Sequence, residues 1–403
     1  MRILFLSDNF PPEVNAPASR TYDHCKEWVK CGDEVTVITC VPNFPQGKVY
    51  EGYKNKWRHE EMIDGIRVIR VWSYIVANKG FVKRTLDFIS YSVTAFIAGL
   101  FIKTDVVIAT SPQFFTALCG RTLAFWKRKP WIMEVRDLWP ESIKTVGAMR
   151  DNLFIRFFEW QEQRCYKSAK SIVVVTDSFK QALAARGIPV DKIHIVKNGV
   201  NRELFRPLSK DESLIRKLNL QGKRVIGYIG THGMAHKLDF ILRCAAKLDN
   251  ESNNYHFLLI GDGAEKQNLI SLKDELGCKN VTMLDSVSKQ EVKRYISILD
   301  ISLINLKRSE LFTTVIPSKI FENAAMGIPI LIGVDGEARR LIEDYEAGIA
   351  FDPENEQDFM DKLNTIFKPG IYNSLKEGCV RLAADFDRKV LADKMLNIIH
   401  HQC

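Results

Sequence analysis

The chain has 403 residues, 46% hydrophobic and 26% charged, with 57 Lys and Arg against 49 Asp and Glu and a net charge of +8. This is ordinary globular composition; it excludes low-complexity and short-repeat architectures, and the length predicts two or three domains, each with a core of its own. Residues 1–200 hold 29 basic against 20 acidic side chains (net +9) and the rest 28 against 29 (net −1), so the first half is predicted to meet an anionic partner or to carry a solvated basic surface.

The N-terminal "MRILFLSDNFPPE" is a short apolar strand running into Asp8. Its apolar run is too short for a signal peptide, and no small-residue cleavage site follows. Further β-rich runs are "EVTVITC", "IRVIRVW", "DVVIATS", "PWIMEVR", "SIVVVTD" and "IHIVKNGV", several of them separated by helix-length stretches. Near-continuous apolar strands are buried on both faces, which predicts a parallel sheet in a doubly wound α/β domain. Between them "LDFISYSVTAFIAGLFI" (Leu86–Ile102) is apolar apart from Asp87 and a few hydroxyls, and follows the basic "NKGFVKRT". It is just short of the roughly 20 residues of a membrane span. It reads as a core helix, as a helix partly dipped into an anionic leaflet, or as a span. "FWKRKPW" (Phe125–Trp131) again sets aromatic beside basic side chains. Nine cysteines are scattered singly, with no C-x-x-C pair and no zinc spacing, and most of them read as buried fillers in a reducing cytosol.

The polar stretch "NRELFRPLSKDESLIRKLNLQGK", bearing Pro207, reads as a linker. The strand pattern then restarts with "KRVIGYIG", "YHFLLIGDG", "VTMLDSV", "DISLINL", "PILIGV" and "GIAFD". We therefore expect a Rossmann-like domain over 1–203, a second over 204–385 and a terminal helix over 386–403. Ligands of such sheets bind at the carboxyl ends of the strands.

Three segments of the second half carry candidate chemistry. In "GYIGTHGMAHKLDFIL" a strand ends at Gly230, and a helix is predicted from about Ala235. Gly230 and Gly233 either present backbone N–H groups to an anion, with His236 and Lys237 in the helix's first turn, or serve chain geometry alone. Gly261 and Gly263 in "IGDGAEKQNL" form a close-approach turn. In "IPSKIFENAAMG" Pro317 suits a first helical turn and Gly327 a helix end. Lys319 and Glu322 share one face. A lysine at a helix start opposes the dipole, unless a phosphate lies beside it. Glu322 suits a ribose diol; the alternative is that Lys319 and Glu322 form a surface Lys–Glu pair. The D-x-D pair Asp385 and Asp387 reads as a solvated helix break.

"SKIFENAAMGIPIL" resembles the nucleotide-binding helix of family 4 glycosyltransferases, which have the two-Rossmann GT-B fold. The resemblance extends over nearly the whole chain and implies a nucleotide-sugar-dependent hexosyltransferase. It assigns Glu322 to the donor ribose, puts Thr314 where the family has a first glutamate, and matches Ser318 and Lys319 to a "PSK" variant. It places the diphosphate over Gly230–His236, with Thr231 and His236 where relatives carry Arg and Lys, and the base near Ser286 and Val287. "FLSDNFPPEVNAPASR" resembles the acceptor-side loop, with Glu13, Asn15, Ala16 and Arg20, and Asn15-Ala16 replaces the usual Gly-Gly. In "EVRDLWPESI", Arg136-Asp137 stands where relatives often have a His-bearing motif, and Glu141 is a further carboxylate. Lys319 and Arg136 are thereby expected to stabilise the leaving diphosphate, and Asp137 to orient the acceptor hydroxyl. Together the motifs most resemble bacterial L-fucosamine transferases of O-antigen or capsule assembly. That implies UDP-N-acetyl-L-fucosamine as donor, a lipid-linked saccharide acceptor, no metal or other cofactor, and a cytoplasmic enzyme peripheral on an anionic inner leaflet. A UDP-sugar epimerase of the same fold and a non-catalytic membrane scaffold are the alternatives. No recognition-helix pattern points to nucleic acid.

Overall fold

The structure is a computed structural model describing residues 1–44, 46–76, 81–111, 114–138, 153–249, 254–288 and 290–402. Its contacts divide the chain into two compact units, Met1–Asn198 with Arg388–Cys403, and Gly199–Asp387.

In the first unit β1 (Arg2–Leu6), β2 (Glu34–Cys40), β3 (Arg58–Ile63), β4 (Ile66–Val71), β5 (Val106–Thr110), β6 (Trp131–Val135), β7 (Ser171–Val174) and β8 (Ile193–Ile195) form one sheet. Their order is β3-β4-β2-β1-β5-β6-β7-β8. Only β3 runs antiparallel, beside β4. Strands β5, β6 and β7 are buried from end to end, as their apolar runs require. The expectation of seven strands omitted β3. Its sequence RHEEMI is largely polar because it is an exposed edge. The signal that marks it is Asp64-Gly65, whose φ of 48° and 81° make the two-residue hairpin turn into β4.

Helix Arg388–His401, set apart in the sequence reading, completes this first core. Leu391, Ala392, Met395, Leu396 and Ile399 make an apolar stripe at helical spacing and bury against Ile3, Phe5 and Val35. The indole Nε1 of Trp28 donates to the Ala392 carbonyl at 2.9 Å. On the sheet's other face, helix Phe81–Leu100 buries Tyr91, Ala95 and Ala98. Its opposite side leaves Leu86, Ile89, Val93, Ile97 and Leu100 exposed. Among the described residues no helix is long and apolar enough to cross a membrane, so the spanning reading of Leu86–Ile102 does not stand. Its sequence is that of a helix wetted on one side and packed on the other.

The second unit holds β9 (Arg224–Ile229), β10 (Tyr255–Ile260), β11 (Val281–Leu284), β12 (Ile301–Asn305), β13 (Ile330–Gly333) and β14 (Gly348–Ala350), the six strands expected. They form an all-parallel sheet in the order β11-β10-β9-β12-β13-β14. Helices Leu238–Asp249, Lys266–Glu275 and Glu356–Ile366 cover one face through Phe240, Leu269 and Phe359. Helices Lys319–Ala325, Glu337–Asp344 and Ile371–Asp385 cover the other through Phe321, Ile342 and Leu382. The order reverses direction at β9 and β12, so the switch point lies between their carboxyl ends.

Candidate active site

The chain leaves β9 at Ile229 and is at once laced to the loop that follows β10. Gly230 N donates to the Ile260 carbonyl at 2.8 Å, His232 N to the Asp262 carbonyl at 2.9 Å, and Glu265 N to the His232 carbonyl at 2.9 Å. The two backbones approach so closely that a Cβ on Gly261 would lie 1.8 Å from the Gly230 carbonyl oxygen. Only glycine permits this contact.

Lys319 is the first residue of helix Lys319–Ala325, just after Pro317. Its side chain reaches back over the end of β9. The ammonium donates to the Tyr228 hydroxyl at 3.4 Å and lies 4.4 Å from that ring's centroid. It occupies the space where a side chain would begin at residue 230: a Cβ there would sit 1.6 Å from Nζ. Burial brings the amine down to about 8, against an upward pull from Glu322. This is a cation part-desolvated at the mouth of a parallel sheet, the position from which it can meet an anion. Glu322, three residues on, is half-buried, and so is Ser318 at the helix's N-cap position. Thr314 closes the 3-10 turn Glu310–Thr314.

The expectation of an α-helix from Ala235 is corrected. Met234–His236 is a 3-10 turn, Lys237 takes a left-handed φ of 48°, and the α-helix starts at Leu238. Lys237 therefore pairs with Asp239 at 3.0 Å, in the first turn of that helix. His236 lies beside Tyr228, with ring centroids 5.7 Å apart, and burial and Lys319 press its imidazole down to about 4. Gly233 precedes the turn, and Asn305 Nδ2 secures it by donating to the His236 carbonyl at 2.9 Å. Beyond β11, Ser286 is exposed and Val287 packs on the unit's core.

Two neighbours escaped the sequence reading. His232 is fully buried, and neither ring nitrogen has a partner among the described residues. Burial, Lys266 and Lys319 lower it to about 4. Lys266 is buried too, donating to the Gly261 carbonyl at 2.7 Å and the Leu284 carbonyl at 2.5 Å. Its signal was its place directly after the glycine turn, in "GDGAEK".

In the first unit, Arg136 and Asp137 follow β6. Arg136 N donates to Ser111 Oγ at 3.2 Å. Desolvation brings its guanidinium down to about 10, despite Glu134, and desolvation raises the Asp137 carboxyl against the pull of Arg136. Arg20 is buried behind them. It donates to Glu134 Oε1 at 2.9 Å and to the carbonyls of Val196 and Lys197 at 2.9 and 2.7 Å. Glu13 stands elsewhere: it is buried and accepts the backbone N–H groups of Asn43 and Phe44 at 2.8 and 2.9 Å. Asn15 caps helix Ala16–Lys30, accepting from Ala18 N at 2.9 Å, with Ala16 as the first helical residue. Glu141 lies outside the described residues. Asp385 accepts from the Tyr345 hydroxyl at 2.7 Å and Asp387 pairs with Arg202 at 3.9 Å. Among the described residues no group of three His, Cys, Asp or Glu side chains is arranged to hold a metal ion.

Comparison with known proteins bears on the family and the fold. Residues 15–199 match the glycosyl transferase 4-like domain and residues 209–377 the glycosyl transferases group 1. The colanic acid biosynthesis protein named as glycosyl transferase WcaI, of Escherichia coli (strain K12), is 23% identical over 88% of this chain and 89% of its own. TuaH of Bacillus subtilis (strain 168), named for teichuronic acid biosynthesis, is 30% identical over about half of each chain, 50% and 49%. A GDP-mannose-dependent alpha-mannosyltransferase of Mycobacterium tuberculosis is 23% identical over 87% of this chain and 83% of its own. Among solved structures, HepE of Anabaena in complex with UDP superposes with a TM-score of 0.71 at 13% identity, over 100% of both chains. The chain is thus a nucleotide-sugar-dependent glycosyltransferase of the family 4 type, with the GT-B fold.

Proposed function

We propose that the protein transfers a sugar, N-acetyl-L-fucosamine on the motif resemblance, from its UDP derivative to a lipid-linked saccharide during assembly of a bacterial surface polysaccharide. The observation that carries the donor side is the Lys319 ammonium seated on Gly230 at the end of β9. Breaking the sugar–phosphate bond gathers negative charge on the β-phosphate. A cation already desolvated and fixed stabilises that charge with little reorganisation. The backbone N–H groups around Gly233 share this role, Glu322 holds the ribose, and Asp137 orients the acceptor hydroxyl; no metal takes part. The names of WcaI and TuaH support a surface polysaccharide, and the UDP in the HepE structure supports a uridine nucleotide.

The lipid-linked acceptor is supported by the surface of the first unit. Phe101, Phe125 and Trp126 are 77%, 80% and 67% exposed, beside Lys103, Arg128 and Lys129. Aromatic and basic side chains together suit the headgroup region of an anionic leaflet. The test is a thermal-shift panel of UDP- and GDP-sugars, followed by transfer to a polyprenyl-diphosphate saccharide. A UDP-sugar should raise the melting temperature and give a lengthened lipid-linked product. Stabilisation by GDP-sugars alone would overturn the uridine assignment. Conversion of the UDP-sugar to an isomer without acceptor would overturn the transfer.

A further inference from the structure

Helices Phe81–Leu100 and Phe114–Lys127 lie side by side on one face of the first unit's sheet. Gly99 brings them close near their C-terminal ends, where a Cβ would lie 2.5 Å from a Leu123 methyl. Lys127 Nζ ties the same ends by donating to the Leu100 carbonyl at 3.1 Å. Over the preceding turns a groove opens, lined by Ile89, Val93, Phe96, Phe115, Leu118 and Cys119. At its edge Thr122 donates its hydroxyl to the Leu118 carbonyl of its own helix at 2.8 Å, and within it the Ser92 hydroxyl is the polar group, buried without a partner among the described residues.

The groove belongs to a longer apolar track. Leu86, Ile89, Val93, Ile97 and Leu100 recur at three- and four-residue steps along the exposed side of helix Phe81–Leu100. At 1.5 Å per residue that track is about 21 Å long. Both ends are cationic: exposed Lys83 and Arg84 at one, Lys103, Arg128 and Lys129 at the other. A protein partner would need polar contacts along the rim of such an interface. A long furrow that is apolar but for the Ser92 hydroxyl, with cations at its ends, instead matches a molecule with an extended hydrocarbon chain and an anionic head.

We propose that this groove seats the hydrocarbon chain of the lipid-phosphate acceptor, lifted out of the bilayer alongside helix Phe81–Leu100, with its phosphate among the flanking cations. This rests on the lipid-linked acceptor proposed above. It goes beyond bilayer docking, because it gives the acceptor lipid a binding site on the protein itself. Such a site would let the enzyme distinguish its acceptor from bulk phospholipid by the chain.

The full-length protein is bound to vesicles of phosphatidylcholine and phosphatidylglycerol containing a polyprenyl phosphate with a diazirine in its chain, then irradiated. Label is expected within 89–96 and 115–122. Val93→Trp and Leu118→Trp fill the groove and should each lower that label by about tenfold, the equivalent of some 1.4 kcal/mol of lost affinity. Flotation with the same vesicles and stabilisation by a UDP-sugar should not change, which shows that the variants fold. Label confined to Phe101, Phe125 and Trp126 would overturn the groove and leave bilayer docking standing. Competition by excess phosphatidylglycerol as strong as that by unlabelled polyprenyl phosphate would overturn the choice of acceptor lipid. Failure to float at all would instead overturn the membrane reading on which the proposal rests.

Discussion

At Lys319 a side chain and a missing side chain make one device. The ammonium fills the volume that a Cβ on residue 230 would claim, so Gly230 and Lys319 should fail together. Lys319→Ala is expected to lower kcat by about a hundredfold or more, in line with the loss of one preorganised donor to a developing anion. Gly230→Ala should give a loss of similar size with the lysine still present, measurable in the same transfer assay. Their combination should be far from additive, because both remove one arrangement. The pH dependence follows from the depressed amine, which titrates near 8 in the donor-free protein. A diphosphate beside it favours the ammonium, so binding above pH 8 must take up a proton. Donor affinity should be flat from pH 6.5 to 7.5 and weaken by up to about tenfold per unit above 8. Lys319→Arg, which does not titrate in that range, should flatten the profile, read by calorimetry across pH. In the absence of donor the sign is opposite. Holding the ammonium in a desolvated site costs stability below the folded value, and that cost is relieved as pH rises from about 8 toward the ordinary lysine range.

Helix Phe81–Leu100 shows how one element serves two solvents. Tyr91, Ala95 and Ala98 pack on the sheet, while the opposite track is exposed, the side proposed to meet lipid. Asp87 is the acid among these apolar residues, and burial lifts its carboxyl to about 6 despite Arg84. The folded value lies above the ordinary 3.8, so the ionised group opposes folding above pH 6, and that opposition fades as pH falls toward 4. Asp87→Asn should therefore raise the melting temperature at pH 7.5 and leave it nearly unchanged at pH 4. Thermal melts at the two pH values decide it. The same change removes a negative charge beside Lys83 and Arg84, at a cationic end proposed to meet the lipid phosphate, so binding to polyprenyl-phosphate vesicles should strengthen with it.

At the scale of the molecule, the charge is divided as the fold is. The basic excess lies within residues 1–200, and the residues proposed to hold the nucleotide lie within Gly199–Asp387. Neutralising Lys127, Arg128 and Lys129 together should weaken flotation on phosphatidylglycerol vesicles by about two orders of magnitude at low salt, since each basic residue near such a surface contributes about 1 kcal/mol. Stabilisation by a UDP-sugar should be untouched. An equal loss of both would mean that the triple variant has damaged the fold. Helix Arg388–His401 adds a constraint of its own. It is last in the chain yet fills the core that the first strand begins. Truncation before Arg388 should expose Ile3, Phe5 and Trp28 and leave the first unit insoluble, as a solubility assay on the truncated chain would show.

The sequence by itself determined the strands and their class. Apolar runs such as VVIAT and YHFLLI have no reason to exist outside a sheet covered on both faces, and they read correctly. It also determined where helix Lys319–Ala325 begins and ends, because Pro317 and Gly327 act through local backbone geometry. Edge strand β3 was less legible, because an exposed edge buries too little to need an apolar sequence, and its turn had to be read instead. Only the tertiary structure decided that Lys319 lies on Gly230, 89 positions away, or that Lys266 and His232 sit beneath the same loops. It alone gave the final helix to the first unit and made Glu13 a loop anchor. The reason is physical. Propensity, capping and burial pattern are properties of a few neighbouring residues, whereas the position of a charge is set by whichever distant backbone leaves room for it.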